Sequence, residues 1–199
     1  MAKNTGNYLT QHDKEKYLRQ SAKAIWLTGL SGSGKTTIAV GLEKKLAEAG
    51  NIARVLDGDI LRDGINKDLG FSETDRYENI RRIAEINKLF NQCGIITINA
   101  FISPTHAIRE LARQIIGEGS FIEIYVDASL EECVRRDPKG LYRKALAGEL
   151  KDFTGVDAPY QPPLNPDIII DTEKTTEEES IENAFKFIEG RVKFKGFGI

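Results

Sequence analysis

Cysteine is scarce in this sequence: among 199 residues only Cys93 and Cys133 carry a thiol, far apart and outside any CxxC or Cys/His ligand spacing. That excludes a disulfide framework and a zinc finger, and it fits a reducing compartment, so a cytoplasmic protein is expected. An excess of one sign of charge is also missing. Lys and Arg total 28 against 30 Asp and Glu, a net charge of -2, so no global positive field exists to condense on nucleic acid or anionic lipid. Long hydrophobic runs are lacking too: the longest, around residues 95–102, falls well short of the ~20 apolar residues needed to span a bilayer. The N-terminal stretch MAKNTGNYLTQHDKEKYLRQ has charges but no apolar core of a signal peptide, so neither secretion nor a membrane span is expected. No internal repeat or low-complexity tract is evident. What is there is an ordinary globular composition, 40% apolar and 29% charged, at a length that fits one domain able to bury its own core.

Short runs rich in Ile, Val and aromatics alternate with segments of helical period. This pattern predicts strands at 24–28, 53–57, 95–100, 121–126 and 167–171, and their near-continuous apolar character suits a parallel sheet buried on both faces. Ile38, Leu42, Leu46 and Ala49 recur at helical spacing, with Gly50 as a C-terminal stop. Tyr77, Ile80 and Ala84 form a second stripe, and Ile108, Leu111, Ala112 and Ile115 a third, with Ser103 expected as its N-cap and Pro104 at its first helical position. Ile181, Ala184, Phe185, Ile188 and Val192 define a terminal helix behind the acidic stretch 177–179, which reads as a solvated first turn. Pro159, Pro162, Pro163 and Pro166 make 151–166 irregular. The expected architecture is one α/β unit over 1–199, a five-stranded parallel sheet with helices on both faces, with 1–22 as an N-terminal extension and 133–166 as a lid and substrate loop region.

The strongest local signal is Gly29-Leu30-Ser31-Gly32-Ser33-Gly34-Lys35-Thr36, a GxxxxGK-Ser/Thr pattern set between a predicted strand and a predicted helix. Glycines bring backbone N–H groups close to phosphate oxygens, and the helix N-terminus adds favourable partial charge. Lys35 would reach the β and γ phosphates of a nucleotide, and the Thr36 hydroxyl would ligate Mg²⁺. The P-loop NTPase fold follows, but GTPase switches, motors and small-molecule kinases share this loop. A GTPase should carry an NKxD motif, which Asn66-Lys67-Asp68 only approximates and too early in the chain, and no predicted strand ends in the Asp-Glu of a motor.

A small kinase needs an acceptor site, acidic groups near the γ phosphate and a basic lid. Asp57 and Asp59 follow the second strand, at the carboxyl edge where open α/β sheets bind ligands. They are placed like a metal-and-base pair, one orienting the Mg²⁺ shell and the other an attacking hydroxyl; the alternative is a loop turn with helix capping. Arg62 and Arg76 flank Gly70-Phe71-Ser72, a grouping suited to a planar anionic ligand or simply to surface charge. Residues 133–144, CVRRDPKGLYRK, place five cations after the fourth strand. They form either a lid that neutralises the transferred phosphoryl group or a solvated helix.

The stretches IWLTGLSGSGKTT, LDGDILRDGINKDLGFSETDRYENIRRIAEINKLF, FISP, YVDASLEECVRRDPKGLY and DFTGVDAPYQPPLNPDIIIDT together resemble the adenylylsulfate kinases, over most of residues 24–172. These enzymes phosphorylate the 3′-hydroxyl of adenosine 5′-phosphosulfate (APS) with ATP and Mg²⁺ in sulfate activation. The resemblance implies that Arg62, Arg76 and Asn79 hold the phosphosulfate and ribose, that Phe71 and Phe153 sandwich the APS adenine, and that Ile102 and Ser103 border the acceptor. It implies further that Asp59 lies by the acceptor hydroxyl, that Lys139 belongs to the lid, and that Thr37 and Arg136 join the loop in binding ATP with Thr36 and Asp57 at the metal. Lys35, Asp59, Ser103 and Lys139 are the expected catalytic set, Ser103 as a candidate phosphoserine site. A homodimer is implied, and a stand-alone kinase with no sulfurylase domain. Two departures stand out: His106 where the family commonly has Arg, and Thr36-Thr37 closing the loop where Ser-Thr is usual. Against this reading stand another small-molecule or nucleotide kinase and a nucleotide-dependent switch or binding module.

Overall fold

Five short runs that alternate two apolar faces pair into one parallel sheet in the computed structural model, which describes residues 8–194 and 196. They are β1 (Ala24–Thr28), β2 (Ala53–Asp57), β3 (Ile96–Ala100), β4 (Phe121–Asp127) and β5 (Ile168–Asp171), in the spatial order β2-β3-β1-β4-β5. Because side chains alternate along a strand, Ile25 and Leu27 of β1 enter one core with Ile98 and Ile124 while Ala24 and Trp26 enter the other. The first face is covered by α2 (Lys35–Glu48) through Ile38, Leu42 and Leu46, and by α8 (Glu177–Val192) through Ala184, Ile188 and Val192. The second is covered by α4 (Glu73–Gln92) through Ile80, Ile83 and Ala84, and by α5 (His106–Ile116) through Ile108, Ala112 and Ile116. Helices cover both faces, which explains why the central strands read as apolar runs rather than as half-exposed alternations.

The sequence placed these elements to within a residue or two at most ends, with informative exceptions. Ile95 stays outside β3, because its N–H closes the end of α4 on the Phe90 carbonyl at 3.1 Å. Asp167 stays outside β5, its carboxylate accepting from the Glu123 N–H at 2.8 Å. Tyr77 is exposed, and Ala49 lies on the exposed cap of α2. The expected Ser103 N-cap is corrected: Thr105 is the N-cap of α5, and Ser103 sits two residues earlier with a φ of 39°, where an N-cap needs extended backbone. The acidic turn of α8 is more than solvated, since Glu179 and Thr176 form a reciprocal capping box.

The N-terminal extension also takes shape from Tyr8 onward; residues 1–7 of it lie outside the described residues. It forms α1 (Gln11–Leu18), a polar helix with no buried residue, closed by a Thr10–Asp13 capping box. Behind it Gln20 is fully buried, its amide donating to the Ile52 and Gly94 carbonyls at 2.9 and 2.7 Å and accepting from the Ile52 N–H at 2.7 Å. Three short helices, α3 (Gly58–Asp63), α6 (Leu130–Arg136) and α7 (Leu141–Leu146), stand over the carboxyl edge of the sheet. Among the described residues no helix is long and apolar enough to cross a membrane, and Cys93 and Cys133 are free thiols.

Candidate active site

The glycine-rich turn leaves β1 at Gly29 and enters α2 at Lys35. Gly29 is packed so tightly that an added Cβ would lie 2.4 Å from the Val126 carbonyl oxygen, and Gly34 caps α2 at a φ of 102° that side chains resist. The turn therefore closes on itself as a ring of backbone amides at a helix N-terminus, the geometry that receives phosphate. Inside it Lys35 is buried and donates to the Gly29 and Leu30 carbonyls at 2.9 and 2.6 Å. Burial is the chief cause that pushes its pKa down from 10.5 to about 8, so the charged form is held at a cost that a nearby anion would offset.

Next to the turn, the Thr36 hydroxyl donates to Asp57 Oδ2 at 2.8 Å, and Asp57 Oδ1 accepts from the Asp59 N–H at 2.9 Å. One buried carboxylate thus joins the start of α2 to the start of α3: Asp57 caps α3, the turn-and-cap alternative, and also sets a hard oxygen beside the Thr36 hydroxyl. Asp59, one step further, points away from it and forms an ion pair with Lys139, which lies beyond α6 in the basic segment. Asp137 shapes that segment, accepting from the Tyr142 and Arg143 N–H groups at 3.1 and 3.0 Å and so starting α7.

On the far side, Arg62 lies 4.3 Å over the Phe71 ring and donates to the Gly70 carbonyl at 2.9 Å. Arg76 donates to the Phe71 carbonyl at 2.9 Å, to Thr154 Oγ1 at 2.8 Å and to the Asp152 carbonyl, tying α4 to the loop that carries Phe153. Asn79 is buried and accepts from Asn66 Nδ2 at 2.9 Å. The two rings differ: Phe71 is half exposed, whereas Phe153 is buried edge-on against Tyr142, 5.0 Å between centroids, in a small core with Ala128 and Cys133.

Most of these groups border one cavity of about 1150 Å³ along the carboxyl edge of the sheet, larger than the usual pocket for one small ligand. Ser31, Gly32, Gly34, Lys35, Thr36, Thr37, Asp57 and Arg136 line one end. Arg62, Phe71, Arg76, Asn79, Ile102, Ser103 and Phe153 line the other, with the Asp59 and Lys139 pair between the two. Three expected residues of the glycine-rich turn stand behind the wall. Gly29 and Leu30 give their carbonyls to Lys35, and Ser33 is fully buried with its carbonyl accepting from Thr172 Oγ1 at 3.0 Å. His106 is not at this cavity; its Nδ1 lies 3.0 Å from Arg109 Nη2.

Sequence reasoning missed Thr172, Thr175, Glu177 and Ser180, which line the cavity beyond β5. Arg136 donates to the Thr172 hydroxyl and carbonyl at 3.0 and 2.9 Å, so α6 is pinned to that loop. Their position straight after a strand of an open parallel sheet was the signal that could have found them.

The chain matches the family model described as Adenylylsulphate kinase over residues 21–171. It is 53% identical over 187 residues to an adenylyl-sulfate kinase of Bacteroides thetaiotaomicron, covering 94% of this chain and 93% of that protein. Over 180 residues it is 50% identical to that of Clostridium acetobutylicum, covering 90% of each. Among solved structures it resembles the Mycobacterium tuberculosis APS kinase in complex with AMPPNP and APS, at 46% identity and a TM-score of 0.81 over 85% of this chain and 98% of that one.

Proposed function

The chain belongs to the adenylylsulphate kinase family, and from that premise we propose that it transfers the γ-phosphoryl group of ATP to the 3′-hydroxyl of APS, giving 3′-phosphoadenosine 5′-phosphosulfate and ADP in sulfate activation. The observation that carries this reading is the single cavity that joins the Lys35 turn to the arginine and phenylalanine end, with Asp59 and Lys139 between them. Two anionic nucleotides meeting end to end need that layout: an amide and lysine cradle for the donor phosphates, a separate basic and aromatic pocket for the acceptor, and a carboxylate where the hydroxyl attacks.

In this reading Ser31, Gly32, Gly34, Lys35, Thr36, Thr37 and Arg136 bind ATP, with Gly29, Leu30 and Ser33 supporting the turn from behind. Arg62, Arg76 and Asn79 hold the phosphosulfate and ribose of APS, Phe71 and Phe153 flank its adenine, and Ile102 and Ser103 form the floor beside the ribose. Asp59 accepts or orients the proton of the 3′-hydroxyl as Lys139 is released from it, and Lys35 and Lys139 face the charge that develops on the transferred group. Ser103 takes no covalent part.

The Thr36 hydroxyl and Asp57 carboxylate, held 2.8 Å apart, are the hard oxygen donors that Mg²⁺ accepts. Among the described residues no cluster of three or more His, Cys, Asp or Glu forms an all-protein cage, so Thr36 and Asp57 are the residues that would hold Mg²⁺ delivered with the nucleotide phosphates. When bound it would neutralise charge between the β and γ phosphates.

Residues 1–199 act as one kinase domain, homodimeric as the family resemblance implies and cytoplasmic as two free thiols favour. The experiment that tests it is ADP release from MgATP with APS or AMP as acceptor. Release with APS and not with AMP is expected, and release with neither, or equally with both, overturns the assignment.

A further inference from the structure

A second network, outside the donor and acceptor groups, converges on one buried cation. Arg109, on the inner face of α5, is 4% exposed and spends its guanidinium on four partners. Nη1 donates to the Ser103 carbonyl at 2.7 Å, Nη2 to the Gln161 carbonyl at 2.7 Å and toward His106 Nδ1 at 3.0 Å, and Nε faces Glu123 Oε1 at 3.1 Å. Gln161 reaches back, its N–H donating to the Pro104 carbonyl at 2.8 Å and its side chain accepting from the His106 N–H at 2.9 Å. From the opposite side the Thr28 hydroxyl donates to the Ile102 carbonyl at 2.7 Å, and Tyr160 joins it at 3.0 Å.

The segment held between these groups is residues 102–103, part of the cavity wall. Its backbone is not one a serine adopts freely: Ser103 has a φ of 39°, a conformation that persists only where surrounding contacts over-determine it. A buried arginine–glutamate pair is a poor way to stabilise a core, since an apolar pair of similar size does as well without desolvation. Its planar fork is, however, well suited to fixing two backbone carbonyls at once. We infer that Arg109 is a positioning residue for the acceptor substrate, holding the strained 102–103 backbone, together with the 160–161 strap, in the shape that receives the acceptor nucleotide. The inference rests on the reading of APS as acceptor.

The test is steady-state kinetics of the full-length chain, wild type beside Arg109→Met and Arg109→Lys, with KM for APS and for MgATP measured separately and Tm recorded. Arg109→Met is expected to raise KM for APS about tenfold or more while KM for MgATP stays within about twofold. Arg109→Lys, which can still donate to one carbonyl, is expected to recover part of the loss. A merely structural arginine would lower Tm and the yield of active enzyme without moving KM for APS, and that result, or a parallel rise in both KM values, overturns the inference. If Arg109→Met does not fold, Thr28→Val takes the hydroxyl off the Ile102 carbonyl with little change of shape; a selective rise in KM for APS is again expected, and an unchanged one overturns it. Wild-type enzyme that releases no ADP with APS would sink the acceptor assignment itself, a result distinct from an active wild type with an indifferent variant.

Discussion

Lys139 and Asp59, eighty residues apart in the chain, close an ion pair across the middle of the cavity. Their side chains remain 52% and 66% exposed, so solvent screens the pair and its contribution to stability is well under about 1 kcal/mol. Its value lies in placement: in the proposed reaction it parks a cation and a carboxylate where the hydroxyl attacks.

Asp59→Asn and Lys139→Ala should therefore separate activity from stability. Each is expected to leave Tm nearly unchanged and to lower kcat by about a hundredfold or more, as loss of a proton acceptor or of a charge-stabilising cation does. Thermal melts beside single-turnover assays check this, and a variant with near-wild-type kcat would remove its residue from the chemistry.

Lys35 links the site to pH. Its pKa is depressed to about 8 from 10.5 chiefly by burial, so between those values the unfolded chain binds a proton the folded one has released, and stability rises with pH across that window. Below about 8 both states are protonated and the full cost of burying the ammonium, roughly 3 kcal/mol, is present. Lys35→Met should accordingly stabilise the nucleotide-free protein by about 1–3 kcal/mol at pH 7, less whatever the Gly29 and Leu30 carbonyls lose, while abolishing turnover. In the wild type kcat/KM for ATP should fall as pH rises through about 8. Denaturant melts and a pH–rate profile read both effects; a destabilised Lys35→Met would show that the lysine's own hydrogen bonds outweigh its desolvation.

What could be read in the sequence was what depends on neighbours along the chain. The Gly29–Thr36 turn was legible because its spacing alone builds the phosphate cradle, and the strands because burial on both faces leaves an apolar run. Ser103 was misread as a cap because Pro104 suggested a first helical turn, whereas its hydroxyl is held by Trp26 and Thr28, both distant in sequence, and its carbonyl by Arg109 on α5. Thr172 and Ser180 had no motif and became site residues only once β5 took its place at the edge of the sheet. Helix α1 was invisible because it buries no side chain and so leaves no apolar stripe.

Asp57 does two jobs that one pair of substitutions can separate. Asp57→Asn keeps an effective N-cap for α3 but loses the charge beside Thr36, and Asp57→Ala loses both. Both should raise the Mg²⁺ concentration needed for half-maximal rate, and only the alanine variant should also lose about 1 kcal/mol of stability. A Mg²⁺ titration of initial rates with parallel melts decides; an unchanged Mg²⁺ requirement in Asp57→Asn would take this carboxylate out of the metal site.

The two phenylalanines should behave differently because their surroundings do. Phe71 is half exposed under Arg62, so Phe71→Ala should weaken APS by about 1–3 kcal/mol through lost stacking at little cost in stability. Phe153 packs against Tyr142 in a small core, so Phe153→Ala should also lower Tm, through the loss of about 3–5 kcal/mol of stability typical of a deleted core aromatic. Calorimetric titration of APS, with ATP binding as the control, tests the pair; equal weakening of both nucleotides by Phe71→Ala would argue against a stacking role.

Ser103 separates direct in-line transfer from a route through a phosphoserine. Its hydroxyl is already engaged, donating to Thr28 Oγ1 at 3.0 Å and accepting from Trp26 Nε1 at 3.1 Å, and the residue is 3% exposed. A nucleophile there would have to give up its donor bond to Thr28, and among the described residues no general base hydrogen-bonds to it, while Asp59 stands exposed in the cavity. Ser103→Gly relieves a left-handed conformation that costs a side chain about 1–2 kcal/mol. It also leaves the buried Trp26 N–H without its partner, a loss of about 1–3 kcal/mol. The two nearly cancel, so Ser103→Gly should fold with close to wild-type stability and Ser103→Ala should be the weaker of the two. Both should keep measurable turnover, with a raised KM for APS because the cavity wall has shifted. A rapid-quench experiment with γ-labelled ATP should find no labelled protein on the path to product. Folded variants that bind both nucleotides normally yet turn over nothing, with a labelled serine in the wild type that is chased into product, would replace direct transfer by the covalent route.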